Sequence, residues 1–387
     1  MNDAAPNEPN DEPPLVTRPE QGADAPLEPA PPRPRPGFWE AVAWCLVFVA
    51  AQMFGAIVAV CVVFAAHTFA ADNPDQFAKD QLDGFVKAVD PKATDPRPPV
   101  PTAFAEALAY GMLAAQLAAL ALIAVVVPRR IGPDWKRQLG VRRPHLLHVG
   151  LALLIVPGFM LSADAIQTIF VHFTGVKPPA AARALNSVFG KFPWPLTLLA
   201  VSIGPGVVEE LWCRGFIGRG LCARYRIVVG AILTSVLFAA MHVDPSQLLV
   251  FTLMGAYLHF VYIATRSIWL PILLHMMNNG VAIVLVLLLP PDRVERPTPD
   301  VVLLAALALM IFGTVALWTS RATLDPVTKK DEAWWESDGW KPEYPGVSAP
   351  PPEANVRLAH EVVSPAALMF AIVSFGALAF LIYKYMV

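Results

Sequence analysis

Charge is scarce in this sequence. Asp, Glu, Lys and Arg make up only 16% of its 387 residues, while 56% are hydrophobic and the mean hydropathy is +0.51. That balance excludes an ordinary soluble enzyme and gives no basic surface for nucleic acid. Cysteine is scarce too: Cys45, Cys61, Cys213 and Cys222 show no CxxC spacing and read as small packing residues. There is no HExxH, so the zinc signature carried on one helix is missing. No internal repeat and no secretory signal peptide are visible. The first 37 residues hold eleven prolines and no apolar run, and read as a disordered cytoplasmic tail.

What the chain has instead is long apolar runs. Nine segments approach the roughly 20 residues needed to cross a bilayer: 38–66, 102–127, 148–172, 195–216, 227–243, 246–265, 268–289, 300–319 and 364–386. The expected fold is all-α, a polytopic membrane helix bundle of about 8–9 transmembrane helices. Its expected parts are the tail 1–37, a membrane domain 38–320, a polar loop 321–363 and a C-terminal membrane helix in 364–387. Trp334, Trp335 and Trp340 in that loop read as a membrane-surface belt. The net charge of -2 says little, but its distribution orients the chain. Segment 128–147 carries Arg129, Arg130, Lys136, Arg137, Arg142 and Arg143 against Asp134 alone, so it is placed in the cytoplasm. Alternation then puts the N-terminus, an Arg214–Arg226 turn and Arg266 inside, and 67–101 and 173–194 outside. An integral, multi-pass protein of a prokaryotic plasma membrane is expected.

The chemistry sits where charge should not be. Glu209 and Glu210 are adjacent in an apolar span, and ionisable groups at that depth cost roughly 2.5–3.5 kcal/mol each on insertion scales. Arg214 follows Glu210 by four residues and shares its helix face; Glu209 points about 100° away. Glu210 therefore reads as half of an ion pair and Glu209 as a free acid suited to general-base work. His275 and Asn279 share one face of a later span, a spacing that suits a metal, a held water or an oxyanion. His242, four residues after Phe238, supplies a third nitrogen. Pro205, between two glycines, should open the span just before the acids and free backbone groups there. The span limits put Glu209, His242 and His275 roughly 10, 22 and 10 Å from the cytoplasmic surface, although one site needs them level.

The order Glu209-Glu210-x-x-x-Arg214, Phe238-x-x-x-His242, His275-x-x-x-Asn279 resembles the motif series of the CAAX-prenyl-protease-2 and bacteriocin-processing (CPBP) family of intramembrane endopeptidases. Gly215, Ser235 and the run Ser267–Ile272 add to the likeness, which is strong over 191–290 and weak over 128–190. The resemblance implies peptide-bond hydrolysis of a membrane-associated peptide or protein. Glu209 would activate a water with help from His242. His275 and Asn279 would hold the oxyanion, or Glu209, His242, His275 and Asn279 would ligate Zn²⁺. Glu210, Arg214 and Phe238 would support them. Both the metal-free and the zinc mechanism stand at this point, as does a rival class in which the same residues form the proton relay of a transporter or a pseudo-protease scaffold. Partners beyond substrate and the lipid bilayer, and the oligomeric state, are not legible.

Overall fold

The computed structural model describes residues 35–89, 98–133, 135–176, 181–289, 298–324 and 356–358, with Met369, Val373 and Gly376. All of these fall in one unit, Pro34–Val387. The Pro-rich tail, the tryptophan-bearing loop and the last span lie largely outside the described residues.

Eight of the expected spans are helices. In chain order they are α1 (Phe38–Phe69), α3 (Thr102–Ile131), α5 (Leu146–Thr174), α7 (Trp194–Tyr225), α8 (Ile227–Met241), α9 (Leu248–Thr265), α10 (Trp269–Leu288) and α11 (Asp300–Thr319). Seven are long and apolar enough to cross a membrane; α8 is shorter. Three small helices join them: α2 (Pro74–Val89), α4 (Trp135–Gln138) and α6 (Ala181–Phe189). The bundle is a multi-pass membrane fold. Its one non-helical element among the described residues is a short antiparallel ladder, β1 (Ala322–Leu324) against β2 (Val356–Leu358).

Small residues let the helices approach closely, as expected where no water drives them together. On α3, Ala107, Gly111, Ala115 and Ala119 are buried, and a side chain added at Gly111 would meet Val60 and Ala56 of α1. Around Trp212 an aromatic cluster forms the largest core, with Phe48 stacked on the indole at 5.1 Å.

The expected end of the fourth span was wrong, and the correction levels the site. The stretch 214–226 is not a turn: α7 continues to Tyr225, and Arg219 is buried in it, donating to Gln138 Oε1 at 3.0 Å. Glu209 is thus sixteen residues, roughly 24 Å, from the basic end of α7, against roughly 22 Å for His242 along α8. The Arg266–Ile268 turn before α10 is no surface point either. Ile268 is fully buried and its N–H donates to Gly140 O, while Arg142 caps Thr265 and Arg266 through their carbonyls. Burial, and then the charge of Arg266, push Arg142 down to about 10, which leaves it cationic at neutral pH.

Candidate active site

Pro205 shapes the middle of α7. A proline has no N–H and its ring crowds the carbonyl four residues back, here Val201 O. The helix widens into π turns at Leu199–Ile203 and again at Leu211–Ile217, on either side of Gly204–Glu210. A side chain reaches into this widened stretch: Asn279 Nδ2 donates to Val201 O at 3.2 Å. Ser202 Oγ donates to Met276 O at 2.7 Å, and Gly206 lies against Met276, where a Cβ would come within 2.5 Å of Cγ. The proline thus couples α7 to α10 at the level of the acids.

Glu210 and Arg214 are both fully buried and meet at 2.7 Å. Arg214 also donates to Gly255 O at 2.8 Å and lies 4.6 Å over the Phe238 ring. A Cβ at Gly255 would crowd Ser235, Phe238 and the guanidinium, so the close approach calls for glycine. The same Glu210 oxygen lies 2.8 Å from His275 Nδ1. A carboxylate paired to arginine only accepts, so His275 Nδ1 carries the hydrogen and Nε2 is turned to the cavity side.

His242 is held in the same way. Its Nδ1 lies 2.9 Å from Phe238 O, a group that can only accept, so here too the hydrogen sits on Nδ1. Its ring packs on Phe251 at 4.3 Å and on Phe238 at 4.9 Å. Both free Nε2 atoms face one atom, Glu209 Oε2, at 3.9 Å from His242 and 4.0 Å from His275. That oxygen is enclosed and has no hydrogen-bond partner among the described residues. Of the residues picked from sequence, Glu209, Glu210, Arg214, Phe238, His242 and His275 therefore meet in one place, while Asn279 lies one turn beyond His275 and contacts Val201 and Asn278.

Sequence reasoning missed three participants. Asn278 Nδ2 donates to Asn279 Oδ1 at 3.0 Å. Val201 O can only accept, so Asn279 must turn its NH₂ there, and Asn278 satisfies the oxygen left over. Phe251 and Gly255 are the others. The doubled asparagine was the one available signal; Phe251 and Gly255 look like any apolar helix residue.

A zinc ion was one expectation for this donor set. Zinc holds N and O donors at about 2.0–2.2 Å, which sets tetrahedral donors roughly 3.4 Å apart. The 3.9 and 4.0 Å separations would open the angles at such an ion to roughly 145°. Asn279 Oδ1 is already bonded to Asn278, and among the described residues no group of three or more His, Cys, Asp or Glu is arranged to hold a metal. As placed, the four side chains do not fit zinc.

Comparison with known proteins finds partial matches. The "Putative membrane peptidase YdiL" of Bacillus subtilis (strain 168) is 32% identical over 91 residues, 24% of this chain and 37% of that protein. No solved structure matches. The family model described as "Type II CAAX prenyl endopeptidase Rce1-like" matches residues 191–281, which hold every side chain of the site. Over residues 191–281 the chain is therefore similar to Rce1-like domains of the CAAX-prenyl-endopeptidase (CPBP) type.

Proposed function

We propose that this protein is an intramembrane endopeptidase in which Glu209 activates a water against the peptide bond of a membrane-associated peptide or protein. The observation that carries the reading is the convergence of two imidazole Nε2 atoms, each with its Nδ1 tied down, on the unpartnered Glu209 Oε2. A water lying off the line between two atoms about 4 Å apart can bond both at ~2.8 Å. It can donate to Glu209 and to one histidine.

The chemistry then runs through this chain's own groups. The water gives a proton to Glu209 Oε2 as its oxygen attacks the carbonyl carbon, with His242 steadying it. The carbonyl π electrons move to oxygen, and the oxyanion accepts from the second N–H of Asn279. Glu210 holds His275 by Nδ1, so that its Nε2 can accept from the water, and Arg214 keeps Glu210 in place. Collapse breaks the C–N bond, and the departing amine takes the proton held by Glu209. The activity after which the matching family model is described and the name of the bacillary relative both support peptide hydrolysis. The test is turnover of a panel of membrane-anchored quenched peptides, one with a prenylated C-terminal cysteine motif and one with a plain transmembrane anchor, by wild type and by Glu209→Gln.

A further inference from the structure

Burial along α7 is lopsided. From Trp212 to Cys222 every residue is buried, on all faces of the helix. From Leu199 to Glu209 the helix alternates, and Val201, Ile203, Gly204, Val207 and Glu209 are only half-buried. Packing therefore seals the site from the Tyr225 end and is looser toward the Trp194 end.

The α8–α9 hairpin agrees. Helix α8 has fifteen residues, roughly 22 Å, short of a hydrocarbon core of ~30 Å. Its tip carries His242 with its side chain 30% exposed and Val243 78% exposed. Gln167 pins this tip by donating to Ser246 O at 3.1 Å. Gln167 is seven residues, roughly 10 Å, before the end of α5 at Thr174, so the hairpin stops below the end of its neighbour.

Charge tells the two ends apart. Arg129, Arg130, Lys136, Arg143, Arg224 and Arg226 cluster at the α3–α5 and α7–α8 connections, the sealed end. Arg130 lies over Trp44 and Arg224 over Tyr225, the aromatic–basic pairing of a membrane surface. At the looser end α2 carries Asp75, Asp80 and Asp83 against Lys79 and Lys87, and the hairpin tip adds Asp244. Basic connections stay in the cytoplasm.

We infer that Glu209 is reached from the extracytoplasmic face, past the short α8–α9 hairpin. The substrate class is then a membrane-anchored polypeptide whose cut bond is presented in the outer half of the bilayer, not a tail offered from the cytoplasm. The substrate class rests on the protease reading; the sidedness does not.

The test uses the full chain with Cys61→Ser, which leaves the three buried cysteines. Val243→Cys, Trp194→Cys and Arg143→Cys are each exposed to a membrane-impermeant thiol reagent in intact spheroplasts and again after permeabilisation. Val243→Cys and Trp194→Cys should label in intact cells, and Arg143→Cys only after permeabilisation. A bulky adduct at Val243→Cys should then cut cleavage of the best peptide at least tenfold. The reverse labelling, labelling of all three from one side, or a Val243→Cys that never labels would each overturn the inference. So would an adduct that leaves cleavage unchanged. Labelling reads sidedness whether or not anything is cleaved, so its failure is distinguishable from failure of the protease reading, which shows as a wild type that cleaves no peptide.

Discussion

Glu210 Oε1 is 2.8 Å from His275 Nδ1 and 2.7 Å from Arg214 Nη1, so one buried oxygen ties the ion pair of α7 to the histidine of α10. The pair is therefore more than helix packing: it sets which nitrogen of His275 faces Glu209.

Removing either partner of that pair leaves a buried charge alone. Glu210→Ala and Arg214→Ala should each lower stability by about 3–5 kcal/mol and abolish turnover. The double variant should be milder than the sum, because neither charge is then stranded. Thermal unfolding of the purified proteins checks this; strict additivity would show that the two do not act as a pair.

Asn279→Ala should cost about 10²–10³ in kcat with little change in KM, as for loss of one oxyanion donor. Asn278→Asp replaces the donor that holds Asn279 Oδ1 with an acceptor, and should lower kcat on the order of 10- to 100-fold by turning the Asn279 amide. In an Asn279→Ala background the same change should have no further effect on kcat. Independent losses would show that Asn278 does not act through Asn279.

Chelation separates the two hydrolytic chemistries. Prolonged dialysis against a strong zinc chelator should leave turnover within a factor of two, and the active protein should hold less than stoichiometric zinc. Inactivation that added zinc reverses would assign a metal to Glu209, His242 and His275 despite their spacing.

Much of this was legible because hydrophobic runs and helical spacing are local. Eight spans, the Glu210–Arg214 contact and the shared face of His275 and Asn279 all follow from residues close in sequence. What was not legible depends on partners far away. Arg219 made 214–226 read as a surface turn, because nothing local reveals that Gln138 receives it inside the bundle. That error shortened α7 and put Glu209 at the wrong depth. The link from Glu210 to His275 spans 65 residues and no pattern encodes it. Pro205 announced a disturbed helix; that Asn279 reaches a carbonyl of the widened stretch emerges only once α10 packs beside α7. His67 and His259, without acidic neighbours on their own helices, find Glu106 and Cys222 on others.

The central claim is that Glu209 is the base. Glu209→Gln keeps the shape of the side chain and removes its capacity to take a proton from water. The most direct measurement is the cleavage rate of the best membrane-anchored peptide by this variant, beside its melting temperature in the same detergent. The account predicts a melting temperature within a few degrees of wild type and a kcat lowered by at least about 10³, within the range that positioned acid–base catalysis supplies. Cleavage at the wild-type rate by a folded Glu209→Gln protein would contradict it.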